Sequence, residues 1–174
     1  MPVRLFVEDG PWPGISRADV TRRSRAMLEA VQMRDHELSV VLTGDDQIQN
    51  LNRIYRNKDR PTDVLAFAQR EGELADRAGR LLGDVIVSIP TARRQAAARG
   101  RDLVAELTML LAHGLLHLLG WDHDTPAKDR RMRRETSRLC AAAEAAARAP
   151  RVKGRTVRRA NGDSMVRRAR RSRR

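Results

Sequence analysis

Three of the four histidines in this chain fall within eleven residues, His113-Gly-Leu-Leu-His117-Leu-Leu-Gly120-Trp-Asp-His123. Residues four apart on a helix share one face, one turn apart. His113 and His117 can therefore offer two imidazoles to one ion. Gly120 can take backbone angles that other residues resist, so it can end the helix and turn the chain back. That return brings His123 towards the same ion. Three neutral imidazoles leave a tetrahedral zinc one open position for water, as in a catalytic site rather than a closed structural one. A single histidine in an apolar helix would read as a satisfied core residue. Three of them among Leu and Gly need three sets of partners, and one metal supplies all of them. Zinc suits this ligand set, although nickel and copper also accept imidazole.

The spacing is also that of the metzincin proteases, His-Glu-x-x-His-x-x-Gly-x-x-His. Here Gly114 stands in place of the Glu. That Glu is the protease's general base beside the metal-bound water. Glycine cannot take a proton, so peptide hydrolysis by that route is disfavoured. Cys140 is the only cysteine, which excludes an intramolecular disulfide and a cysteine metal cluster. Lying among alanines, it reads as a small buried hydrophobe.

The elements that must position the histidines follow from periodicity. Val3 to Glu8 alternates as a half-buried strand does. Ser16 can cap a helix to about Met33, with Val20, Met27, Leu28 and Val31 as its apolar stripe. Glu37 to Thr43 reads as a strand. Asp45 or Asp46 starts a helix through Ile48, Leu51, Ile54 and Tyr55. A basic loop from Arg56 to Thr62 precedes a third strand, Asp63 to Phe67. Residues 69–80 are polar and expected to be exposed. Gly83 to Ile89 is a fourth strand, ended by Pro90, and Thr91 to Arg99 is a helix capped by Gly100. Leu103 to Leu119, which carries the first two histidines, is apolar enough to be buried. Thr125-Pro126 opens a last helix ending near Arg148. The prediction is one α+β domain, an approximately four-stranded mixed sheet packed with helices, with the metal-binding helix against the sheet.

The net charge is +13 over 174 residues, unevenly spread. From Arg148 onwards there are twelve basic residues and one acid, Asp163, so this end carries +11 and the body +2. We expect a folded domain over 1–148 and a disordered Arg-rich tail over 149–174, too poor in large apolar residues to offset its ordering entropy. Such a tail suits a polyanion, and RNA is the commonest one in the cytosol. No apolar run approaches the ~20 residues that span a bilayer, and the first residues do not read as a signal peptide. A cytoplasmic protein without membrane contact is expected.

The histidine segment resembles the signature of the YbeY family of bacterial endoribonucleases. Two further blocks are similar to that family. One is Leu51-Asn-Arg-Ile-Tyr-Arg56-Asn-Lys-Asp59-Arg-Pro61-Thr-Asp-Val-Leu-Ala-Phe67; the other is Leu82-Gly-Asp84-Val-Ile-Val. The blocks occur in the family's order, and the resemblance reaches roughly residue 147. Ala66 replaces the family's usual Ser, and Trp121 stands where Tyr is commoner. The tail inherits nothing from the resemblance.

The resemblance implies a single-strand-specific, metal-dependent endoribonuclease in 16S rRNA 3′-end maturation and ribosome quality control. Ribosomal RNA and the small ribosomal subunit would be its partners, and no nucleotide cofactor is expected. The expected ligands of one zinc are His113, His117 and His123. Arg56 and His113 are the expected catalytic residues, since the equivalent of Arg56 is functional in the family and its planar fork matches two phosphate oxygens. Lys58 and Arg60 would help Arg56 bind the strand. Zinc lowers the pKa of bound water to about 7; alternatively the metal polarises the phosphate while the RNA 2′-hydroxyl attacks. Asp122 suits either a hydrogen bond to a ligating imidazole or a turn cap, and Asp84 either site lining or turn chemistry. Two other readings stay open: a zinc metalloprotease-like hydrolase, and a non-catalytic zinc-containing RNA-binding factor of ribosome assembly.

Overall fold

The alternating stretch at the start of the chain forms strand β1 (Val3–Val7), and the β-branched run forms β2 (Glu37–Thr43). Between them lies helix α1 (Arg17–Ala30), whose cap is Ser16: its hydroxyl accepts from the Asp19 N–H. The computed structural model describes residues 2–69 and 79–150. Its further elements are α2 (Asp45–Arg56), β3 (Val64–Ala68), β4 (Leu81–Ser88), α3 (Ile89–Ala98), α4 (Leu103–Leu118) and α5 (Pro126–Arg148). Residues 70–78, in the segment expected to be exposed, and 151–174 of the tail lie outside the described residues. Among the described residues no helix is long and apolar enough to cross a membrane.

Two expectations need adjustment. Helix α1 stops at Ala30 rather than near Met33, because Gln32 takes a left-handed φ of 60°. Pro90 does not follow the strand as a breaker; it sits in the first turn of α3, where a missing N–H costs nothing. Ser88 caps that turn by accepting from the Thr91 N–H. Helix α2 starts at Asp45 and buries Ile48 and Asn52, while its Ile54 and Tyr55 are 60% and 65% exposed. Tyr55 meets Phe67 edge-on at 5.0 Å.

The sheet order is β1-β2-β4-β3. β2 pairs parallel with both β1 and β4, while β3 is antiparallel to β4, so the sheet is mixed. Val85 pairs with Val40 on one side and Ala66 on the other. Successive side chains on a strand point to opposite faces, and this separates two cores. Val85 lies on the face covered by α4, with Leu107, Leu111, Leu115 and Leu116 fully buried there. Ile86, Leu65 and Ile48 form a smaller cluster on the face covered by α2. Each fully buried leucine contributes roughly 1.5–3 kcal/mol. Helix α4 is thus anchored on several sides, against β3, β4, α1, α3 and α5.

Candidate metal centre

Helix α4 fixes two of the three histidines. Asp102 caps its start by accepting from the Ala105 N–H at 2.7 Å. At its end, the Gly120 N–H bonds the His117 carbonyl and the Trp121 N–H bonds the Leu116 carbonyl. This is the Schellman closure, and Gly120 sits at φ 82°, a left-handed angle. The chain then turns back, as the position of the glycine predicts, and returns His123 to the helix end.

The three rings gather as expected. His113 and His117 place their Nε2 atoms 3.0 Å apart. The His123 ring centroid lies 5.6 Å from that of His113 and 5.4 Å from that of His117. One ligand atom from each lies within 4.8 Å of the others. A tetrahedral ion with bonds of roughly 2.0–2.1 Å holds its ligand atoms roughly 3.3 Å apart. The α4 pair is close to that spacing, and the exposed His123 on its loop is the ring free to adjust.

The protonation states fit the same use. The His117 Nδ1–H donates to the Trp121 carbonyl at 3.0 Å, which leaves the lone pair on Nε2, facing the cluster. Burial, reinforced by the charges of His117 and His123, pushes His113 down to about 4. Asp63 and Asp129 oppose that shift without cancelling it. Burial also lowers His117; the Trp121 carbonyl pulls the other way, and the His123 and Arg56 charges add to the lowering. Two neutral imidazoles at pH 7 are what a metal ligand pair requires. The donor set fits a zinc-like ion.

A cleft of about 570 Å³ is lined by the three histidines together with Arg56, Thr62, Asp63 and Ala66. Arg56 arrives as the last residue of α2. The next residue, Asn57, takes φ 54° and its N–H bonds the Arg53 and Asn52 carbonyls. The Nδ2 of buried Asn52 donates to the Arg60 carbonyl at 2.8 Å and so pins the loop that follows. Lys58 and Arg60 lie exposed on that loop but do not line the cleft. Ala66 does, so the position where the resemblance implies a serine is part of the cleft lining.

Two aspartates fall elsewhere than on a ligand. Asp122 lines the cleft, but its hydrogen-bond partner is Lys128 Nζ at 3.1 Å; the outer partner of His117 is the Trp121 carbonyl. Asp84 lies within β4 on the face opposite Val85, away from α4, where Gln69 Nε2 donates to it at 3.5 Å. Sequence reasoning missed Asp63, which it read as a strand start. Its Oδ1 accepts from the Val64 N–H at 2.8 Å and its Oδ2 from Gln95 Nε2 at 3.1 Å, holding a carboxylate on the cleft wall. The signal available was its place in the Pro61-Thr62-Asp63 stretch of the matched block.

Gly114 has no room for the acid of a protease. A Cβ there would lie 2.6 Å from Val85 Cγ1, inside the sheet contact.

A family model described as Endoribonuclease YbeY matches residues 15–144. A protein of that name from an Anaeromyxobacter species is 45% identical over 142 residues, which cover 82% of this chain and 72% of the relative. Another, from a Synechococcus strain, is 51% identical over 111 residues, covering 61% of this chain and 68% of the relative. A solution structure of a Thermotoga maritima protein is similar with a TM-score of 0.56 at 22% identity, covering 87% of this chain and 100% of that one, a likeness of fold.

Proposed function

The chain belongs to the YbeY endoribonuclease family, and from that premise we propose that it is a zinc-dependent, single-strand-specific endoribonuclease acting in 16S rRNA 3′-end maturation and ribosome quality control. The observation that carries the reading is that three gathered imidazoles and Arg56 line one cleft, at a helix position with no room for a protease's base.

His113, His117 and His123 would hold the metal. When bound, zinc supplies Lewis-acid charge towards a phosphate oxygen and lowers the pKa of an attacking water. The chain's own residues do the rest. Arg56 presents a planar donor fork to two non-bridging oxygens, neutralising charge that grows as the phosphodiester is attacked. The Trp121 carbonyl keeps the His117 Nδ1 proton in place, so that Nε2 stays a donor of electrons. Asp63 keeps a negative charge beside His113 that favours a cation at the cluster. Lys58 and Arg60, outside the cleft, would guide the strand towards it. We assign catalysis to a domain over 1–148, and RNA affinity without chemistry to the 149–174 tail. The setting would be cytoplasmic, with the small ribosomal subunit as partner.

The experiment is to purify the full chain, quantify bound metal, and assay single-stranded RNA, duplex RNA and casein with wild type, His113→Ala and Arg56→Ala. The expected result is stoichiometric zinc in wild type and Arg56→Ala, with cleavage of single-stranded RNA by wild type alone. RNA cleavage that survives in metal-free His113→Ala would sink the metal-dependent reading. Tight RNA binding with no turnover in zinc-loaded wild type would favour a non-catalytic assembly factor.

A further inference from the structure

A second hollow shares a wall with the histidine cleft. Its volume is about 270 Å³, and Trp121, Asp122, Lys128 and Arg131 line it. Gly120, Trp121 and Asp122 border both spaces. A ligand crossing the histidines therefore meets Trp121 next.

Trp121 and Arg131 meet on that wall. The Arg131 guanidinium carbon lies 4.7 Å from the centre of the Trp121 ring. The backbone at each end of this pair is anchored. The Trp121 backbone N–H bonds the Leu116 carbonyl, and the Trp121 carbonyl accepts from His117 Nδ1. Arg131 projects from the second turn of α5, whose Met132 is buried in the core. Yet Trp121 stays partly exposed and Arg131 exposed. At the rim, Lys128 Nζ bonds Asp122 at 3.1 Å and Asp124 at 3.0 Å, so its charge is offset. The hollow thus combines an indole ring and a guanidinium group, in contact, with little net positive charge at its rim. That suits an uncharged planar ring better than a second phosphate.

We propose that Trp121 and Arg131 form a subsite for one unpaired nucleobase, adjoining the nucleotide whose phosphate lies at the histidines. The proposal deepens the reading of the cleft as an RNA-cleaving site and rests on it. Unpaired bases stack on aromatic rings and on guanidinium planes. A base within a duplex is already stacked and paired, so the subsite also favours single strands over duplexes.

The test uses the full chain and two short 2′-O-methyl single strands, which resist cleavage: one with bases, one with abasic nucleotides. Binding is read by anisotropy. Emission is read in Trp12→Phe, which leaves Trp121 as the only tryptophan. The strand with bases is expected to quench Trp121 and to bind roughly tenfold more tightly than the abasic strand, the scale of one stacked base. Trp121→Ala and Arg131→Ala should each bring that ratio towards one. Trp121→Tyr should keep most of it, whereas Arg131→Lys, which retains charge but not the plane, should not. Equal quenching by the abasic strand, or an unchanged ratio in both alanine variants, overturns the subsite. Cleavage of RNA by wild type is scored separately. Its absence strikes the nuclease reading, while cleavage with an unchanged ratio strikes the subsite alone.

Discussion

Gly114 of α4 rests directly on Val85 of β4: a Cβ on the glycine would lie 2.6 Å from Val85 Cγ1 and 3.1 Å from Cγ2. Two effects of opposite sign follow for Gly114→Ala. Helix propensity alone would favour the alanine by about 1 kcal/mol. The contact opposes it, because Val85 is fully buried on a strand paired on both sides and cannot yield. Overpacking of this kind costs about 1–3 kcal/mol. Gly114→Ala should therefore be less stable in urea denaturation, and Val85→Ala should relieve part of the loss in a double-mutant cycle. Additive losses would show that α4 does not seat on Val85 through this contact.

The same relationship separates what was legible in the sequence from what was not. The histidine cluster could be read because it is local: a helical spacing of four, then a glycine that closes the helix at φ 82°. The elements could be read for the same reason, since Ser16 and Thr125 cap helices that start one residue later. Strand parity was not legible. Asp84 lies within a matched block, but its side depends on Gly83 and Val85 facing α4, a tertiary fact. Nor could the partner of His117 be read, because every residue carries a carbonyl and the sequence does not mark the one at Trp121. The hydrogen bond from Gln95 to Asp63 and the Trp121–Arg131 contact belong to the same class, since each is made by segments that meet only in the folded chain.

Arg56 lies exposed at the end of α2 and lines the cleft. If its role is to meet two phosphate oxygens at once, charge alone is not enough. Arg56→Lys should then lose nearly as much activity as Arg56→Ala, on the order of 10²-fold in kcat, the usual scale for a lost charge-stabilising donor. Bound zinc and melting temperature should stay at wild-type values in both. Full activity in Arg56→Lys would reduce the residue to a steering charge.

Asp45 ties the starts of α2 and α3 together. Its Oδ1 accepts from Ser88 Oγ and Thr91 Oγ1, and its Oδ2 from Arg94 at 2.9 Å. Burial alone would raise its pKa, but the hydrogen bonds from Ser88, Thr91 and Arg94, with the Arg94 charge, hold it below the ordinary 3.8. The folded chain then binds this proton less readily than the unfolded chain. The stabilisation is fully present above about pH 4 and fades as the pH falls through the lowered value. Asp45→Asn should cost about 1–3 kcal/mol at pH 7, and its deficit should shrink below pH ~4. Urea titrations of both proteins at pH 7, 5 and 3 check this. A deficit unchanged at pH 3 would assign the effect to shape and not to charge.

Gly120 makes a different demand from Gly114. A Cβ there would meet nothing within 4 Å, so space does not require glycine; the backbone angle does. A left-handed residue other than glycine costs roughly 1–2 kcal/mol. If Gly120→Ala relaxes the angle to avoid that cost, the Trp121 N–H loses the Leu116 carbonyl, the Trp121 carbonyl shifts away from His117, and the segment carrying His123 leaves the α4 pair. Global stability should therefore fall only slightly, because α4 is anchored by its leucines, while zinc affinity should fall by tenfold or more, the scale seen when ligand orientation is lost. Asparagine tolerates the left-handed region better than alanine, so Gly120→Asn should retain tighter zinc binding than Gly120→Ala. Competition with a chelator, run beside thermal melts of the metal-free proteins, separates the two quantities. Equal zinc affinity in all three proteins would mean that His123 reaches the ion without the turn.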